Sequence, residues 1–147
     1  MTIKDRISND LKEAMRARDK KKLEALRLVT AAIKQVEVDE RIDVDEERML
    51  VILDKLAKQR KESITQFQAA GRDDLVAQEQ FELELIGQYL PEPLSDAEID
   101  ALVAQALADT GASKMSDMGK VMALLKPQLQ GRADMSKISA TIKAKLS

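Results

Sequence analysis

Leu90-Pro91-Glu92-Pro93-Leu94-Ser95-Asp96-Ala97-Glu98-Ile99-Asp100-Ala101-Leu102-Val103-Ala104-Gln105-Ala106-Leu107 is the stretch on which the reading of the fold turns. Its first part cannot be helix, because two prolines lack amide donors and push their predecessors out of the helical region. Its second part has every mark of one. Ser95 and Glu98 have capping-box spacing, and Ile99, Leu102, Val103, Ala106 and Leu107 follow at helical intervals. The sequence therefore predicts a linker and then a helix that ends at Gly111. Residues 1–90 and 95–147 are expected to form separate domains.

The rest of the chain repeats the helical pattern. Upstream, Thr2 and Asp5 have capping-box spacing before a stripe of Ile3, Ile7, Leu11 and Met15, and the cations from Arg16 to Lys22 are expected to close that helix. A second helix carries Leu26, Val29, Ile33 and Val36, widened by Ala25, Leu28 and Ala32. A third, starting at Asp43 or Asp45, carries Met49, Leu53, Leu56, Ile64 and Phe67, and Gly71 stops it. A short turn then implies an antiparallel fourth helix bearing Leu75, Leu83, Ile86 and Leu90. Downstream of Gly111, Ser113 or Ser116 is expected to cap a helix on Met118, Val121, Met122, Leu125 and Leu129, with Pro127 bending or ending it early. Asp134 caps the last, on Met135, Ile138, Ile142 and Leu146. The predicted fold is all-α: an N-terminal antiparallel domain of about four helices and a small three-helix C-terminal domain.

Composition agrees. In 147 residues the aromatic fraction is 2%, with five Gly and three Pro, too few ring side chains and turn formers for a β-sandwich. Hydrophobic residues at 44% and charged residues at 34% suit a folded, polar-surfaced chain. The absence of Cys and His removes disulfides, thiol nucleophiles, Ser-His-Asp triads, haem and the usual zinc sites. No catalytic residue, metal ligand or cofactor is predicted. The N-terminus lacks the apolar core of a signal peptide, and no segment reaches a membrane span. The expected location is the cytoplasm, away from any membrane.

Three groups of residues invite a functional reading. Arg60 falls where the third helix should place an apolar side chain, while Glu79 and Glu82 fall on the packing face of the fourth. A structural ion pair accounts for them more simply than a ligand site does. The bases from Arg16 to Lys22, and Lys55, Lys58, Arg60 and Lys61, are diluted by nearby acids and are read as a solvated face. Finally, Gly119 costs a helix roughly 1 kcal/mol, which suggests the close approach of another backbone. Around it and Gly131 stand Lys120, Arg132 and Lys137. From Gly111 onward seven bases face two acids, a surplus of five in a chain whose net charge is −2. Spacing alone leaves packing and phosphate binding equally open here.

Tyr89-Leu90-Pro91, Ser95 to Ile99, Thr110-Gly111-Ala112, Asp117 to Met122 and Gly131 to Asp134 together resemble the YqeY family. In the first half Leu26-Arg27-Leu28, Ala32-Ile33-Lys34, the run Lys58 to Ser63 and Ala70-Gly71-Arg72 are similar to its N-terminal pattern. The resemblance implies a C-terminal domain like the tail of GatB, the B subunit of glutamine-dependent aspartyl/glutamyl-tRNA amidotransferase, where that tail helps hold tRNA. It also implies a link to carbon–nitrogen ligation with glutamine as amido donor. The amidase residues of that enzyme belong to another subunit, and its ATP-dependent site belongs to the GatB body; neither segment is in this chain. A shared tail does not carry an active site. The expectation is a tRNA-associated accessory protein that is not catalytic alone and contacts RNA through Lys114, Lys120, Arg132, Lys137 and Lys143. The alternatives are a helical adaptor for translation or amidotransferase proteins and a partner-dependent amidotransferase component.

Overall fold

The computed structural model describes residues 1–146, and among them the secondary structure is helical without a strand. The α-helices are α1 (Ile3–Ala17), α2 (Lys20–Glu40), α3 (Glu46–Ala69), α4 (Asp73–Gly87), α5 (Asp96–Thr110), α6 (Met118–Leu129) and α7 (Met135–Leu146), with a 3-10 turn at Met115–Asp117. The chain divides into two compact units, Met1–Leu90 and one from Pro91 onward. Pro91 and Pro93 lie outside helices, between α4 and α5.

In the first unit, Ile3 and Ile7 of α1 meet Leu26, Val29 and Ile33 of α2, Met49 and Leu53 of α3, and Leu85 and Ile86 of α4. Each such side chain fully withdrawn from water is worth about 1.5–3 kcal/mol. Local chemistry sets the helix ends. The Thr2 hydroxyl accepts from the Asp5 amide while the Asp5 carboxylate accepts from the Thr2 amide. Asp45 caps α3 by accepting from the Arg48 amide at 2.8 Å. The Ile3 amide donates to the Glu46 carboxylate at 3.1 Å, which ties the start of α1 to the start of α3. Gly71, with φ +70°, makes the turn into α4, along which α3 packs throughout.

In the second unit, Val103 and Ala106 of α5, Val121, Leu125 and Leu129 of α6, and Ile138, Ile142 and Leu146 of α7 form a separate core. The Ser95 hydroxyl accepts from the Glu98 amide, and Glu98 reaches back to the Ser95 amide. The Leu94 amide donates to the Arg132 carbonyl at 2.9 Å, and Arg132 Nε donates to the Glu92 carbonyl at 3.2 Å. The segment ahead of α5 is thereby fastened to the turn between α6 and α7.

Several local expectations are corrected. The cations from Arg16 to Lys22 do not form one helix end: α1 stops at Ala17, Arg18 takes the left-handed conformation at φ 56°, and Lys20 to Lys22 are the first turn of α2. Met15 and Leu28 are about half exposed instead of lying in the core, and Ala14 takes the buried place on α1. Pro127 does not end α6, which continues to Leu129, because the fully buried Leu129 holds the last turn onto the core. Neither Ser113 nor Ser116 caps α6. Asp117 instead accepts from the Ser113 and Lys114 amides and closes the 3-10 turn. Gly119 approaches no other backbone; a Cβ added there meets nothing within 4 Å.

Two stability changes follow. Ser95→Ala should cost about 1 kcal/mol, and Gly119→Ala should gain up to about 1 kcal/mol, both read from thermal or urea unfolding. Acid should weaken the caps as well. Hydrogen bonds from Thr2, Ser95 and the Ser113 amide respectively hold Asp5, Glu98 and Asp117 below the ordinary carboxylate range. A depressed folded pKa adds stability above the unfolded pKa and loses it as pH falls through the folded one. Melting temperature should therefore drop below about pH 4, and the drop should be smaller in Glu98→Gln.

Candidate functional site

The bases of the second unit are surface groups. Lys114, Lys120, Lys137 and Lys143 are exposed, and Arg132 is half-buried where it holds the Glu92 carbonyl. The ion pairs of the described residues join Lys4 to Glu37, Arg48 to Glu40, Arg60 to Glu79 and Glu82, and Arg72 to Asp74, all in the first unit. The second unit's bases act on acids only at longer range: Lys120 helps lower the Asp117 pKa, and Arg132 helps lower that of Glu98. Lys137 and Lys143, six positions apart, lie roughly 120° apart around α7, so they flank its buried stripe of Ile138 and Ile142. Four exposed lysines and one anchored arginine thus present solvated charge without a preformed cage.

The most buried charged residue is on the seam of α3 and α4. Arg60 Nε donates to Glu82 Oε2 at 2.9 Å and stands 3.5 Å from Glu79 Oε2. Glu82 is 8% exposed. Glu79 Oε2 is buried, and at its distance from Arg60 it makes an ionic contact but no hydrogen bond. Burial raises the Glu79 pKa, the Glu82 charge raises it further, and Arg60 opposes both. One guanidinium therefore serves two carboxylates, and it serves Glu82 better. The group orients α3 against α4, and Glu82 also borders a cleft between α4 and α2.

A second polar cluster gave no signal in the sequence beyond the single tyrosine. Tyr89 is 2% exposed, its hydroxyl donates to the Asp10 carboxylate, and the Arg6 guanidinium lies 5.3 Å from its ring centre. Arg6 also donates to the Gln88 carbonyl at 2.9 Å. This cluster ties the end of α4 to α1. Burial, followed by the bond to Asp10, pushes the Tyr89 hydroxyl well above its ordinary pKa.

Beside these clusters lie two clefts. The larger, about 720 Å³, runs between α2 and α4 from Lys20 and Phe81 to Leu28 and Asp74. The smaller, about 240 Å³, has Ile7, Leu11 and Ile33 for its floor, between α1 and α2. Among the described residues no cluster of acids is arranged to hold a metal ion, and no helix is long and apolar enough to cross a membrane.

Both polar clusters can be tested by substitution. Arg60→Ala should destabilise by about 3 kcal/mol in urea unfolding, because it strands Glu82 in a buried place. Arg60→Met should cost less by restoring the packing, and Glu79→Gln should cost nothing or give a small gain. Tyr89 is the only tyrosine, so its ultraviolet absorbance reports it alone. In the folded protein it should stay un-ionised at about pH 11, where an unfolded chain would show phenolate. Stability should accordingly be full below about pH 10 and decline above it, since a raised folded pKa loses its contribution as pH rises.

Comparison with known proteins places this geometry. The chain is 40% identical over 95 residues to Altered inheritance of mitochondria protein 41, mitochondrial, of Saccharomyces cerevisiae (strain ATCC 204508 / S288c), a match spanning 64% of this chain and 51% of that protein. It is 39% identical over 113 residues to the protein of the same name from Lachancea thermotolerans, across 75% of this chain and 60% of that one. For Eremothecium gossypii the figures are 42% over 102 residues, 68% and 56%. The chain thus spans between half and three fifths of the length of these relatives. Their names place them in mitochondria, which overturns the cytoplasmic location expected from the sequence. The model of the family described as Yqey-like protein matches residues 4–146, so the helical chain with its two cores belongs to the YqeY family.

Proposed function

We propose that this is a tRNA-associated accessory protein, without catalysis of its own, whose residues 95–147 form a GatB-tail-like domain that holds the RNA backbone. The observation that carries the reading is the surplus of base after Gly111. Seven bases there face two acids, and Lys114, Lys120, Lys137 and Lys143 stand exposed and join no ion pair among the described residues. Released counterions would drive binding to phosphates, and lysines on α6, α7 and the turn before α6 suit a curved backbone better than a flat one. Aromatic stacking is unavailable to this unit, because both Phe and the Tyr lie before residue 90, so recognition is of shape and phosphate. On the same reading, residues 1–90 and 95–147 are domains that fold separately, four helices and three.

A second reading is favoured by the half-exposed Met15 and Leu28 of the first unit, which suit an adaptor that docks on a protein of translation or amide transfer. A partner-dependent amidotransferase component is tested by ammonia release from glutamine with and without candidate subunits.

The decisive measurement is binding of the full chain to total tRNA across a salt series. If about four phosphates are contacted, log affinity should fall against log salt with a slope of roughly −3 to −4. Lys120→Glu with Lys137→Glu should weaken binding and flatten the slope while leaving the melting temperature nearly unchanged, since both side chains are exposed and join no ion pair among the described residues. Binding that ignores salt, or that survives this pair of changes, returns the function to the adaptor reading.

A further inference from the structure

The groove between α2 and α4 begins at a helix start that gathers cations. α1, α3, α4 and α5 carry acids in the first turn, where the helix dipole favours them, whereas α2, α6 and α7 carry none. α2 starts instead with Lys20, Lys21 and Lys22, and its first turn holds no acid. The cap residue Asp19 spends its carboxylate on the Lys22 amide. Cations at that end repel the dipole, and such a local conflict is expected where a site demands it.

The groove resolves what the cations are facing. Lys20 and Lys21 line one end of it, and Arg27, on the same side of α2, lines the other. None of the three forms an ion pair among the described residues. Lys21 Nζ rests 4.4 Å from the centre of the Phe81 ring instead of on a carboxylate. The acids on the opposite wall are already matched. Glu82 is held by Arg60 at 2.9 Å, and Asp74 is held by Arg72 at 3.1 Å. Only Glu24 is left to face three cations. Ala25, Leu28 and Ala77 supply an apolar floor. The volume, about 720 Å³, lies within the range usual for small-molecule sites.

We propose that the α2–α4 groove binds a small phosphorylated organic molecule, its phosphate between Lys20 and Lys21 and its body along Ala25, Leu28 and Ala77. Arg27 meets a second polar group at the far end. Lys20 and Arg27 are seven residues apart, about 10 Å along the helix, which sets the length of the ligand. The Arg60–Glu82 pair is a positioning element: it holds α4 and offsets the Glu82 charge that would repel the phosphate. This site lies wholly in the first unit and does not depend on the RNA reading of the second.

The test uses the full chain, isotopically labelled, titrated with adenosine monophosphate and followed by amide and methyl resonances. Shifts should saturate and map to Lys20–Leu28 and Asp74–Phe81. Inorganic phosphate should move only the Lys20–Lys21 end, and more weakly; adenosine, lacking the phosphate, should not saturate. Lys20→Gln with Lys21→Gln should weaken adenosine monophosphate at least tenfold, about 1.4 kcal/mol, with the remaining spectrum unchanged. Lys120→Glu with Lys137→Glu should leave the titration as it was. The proposal is overturned if nothing saturates below about 10 mM, a Kd weaker than roughly −3 kcal/mol. It is equally overturned if the shifts map to α6 and α7, or if the Lys20/Lys21 variant binds as the parent does.

Discussion

The hairpin of α3 and α4 depends on the ion pair of Arg60 with Glu82. The two residues stand eleven positions on either side of Gly71, so a symmetric antiparallel hairpin must bring them face to face. Apolar contacts on this seam tolerate sliding, since one leucine replaces another at small cost. A guanidinium bonded to a carboxylate that is nearly closed to water does not, because a slip by one turn would leave both charges buried and unmatched. The pair therefore selects the register in which Leu53, Ala57, Leu85 and Ile86 meet. From that register α4 presents Phe81 and Glu82 to α2 at one point and Tyr89 to α1 at another.

This dependence explains how the first unit can close a core with so few aromatic rings. Its side chains are mostly aliphatic, of similar size, and would accept several arrangements. Arg60 with Glu82, Tyr89 with Asp10, and the Ile3 amide with Glu46 each join distant parts of the chain by a directional bond. Directional bonds contribute little net free energy but penalise the alternatives heavily. The second unit, being smaller, uses main-chain bonds for the same purpose: Leu94 to Arg132, and Arg132 to Glu92.

Helix content, the break at Pro91 and Pro93, both capping boxes and the core stripes were legible in the sequence because each is a local pattern with a fixed period. Arg60 stood out as a charge at an apolar position. What was not legible has a common physical cause, the long-range partner. Tyr89 needs Asp10, and no spacing rule links residues at opposite ends of a unit. Asp117 displaced Ser113 and Ser116 as the organiser of the turn before α6, because its charged carboxylate accepts both amides in stronger, charge-assisted bonds than a neutral hydroxyl makes. Location was misread for another reason: solubility is a property of the surface, whereas destination in a cell is read by other machinery.

The boundary between α1 and α2 shows the cost of reading charge before geometry. Arg18 makes the turn at φ 56° without a glycine, so the mark of the break in the sequence is Asp19, the cap of α2, set among the cations. Read as one run, the cations from Arg16 to Lys22 complement the end of α1 and ask for no partner. Divided by the turn, Arg16 still serves α1, but Lys20 to Lys22 sit at the positive end of α2. The same side chains change from compensating a dipole to adding to it. That reversal, with Glu82 and Asp74 paired across the groove, turns a solvated face into a positive concavity. The structure thereby separates two basic surfaces that composition had merged into background charge: one on α6 and α7, and one along a surface groove on α2.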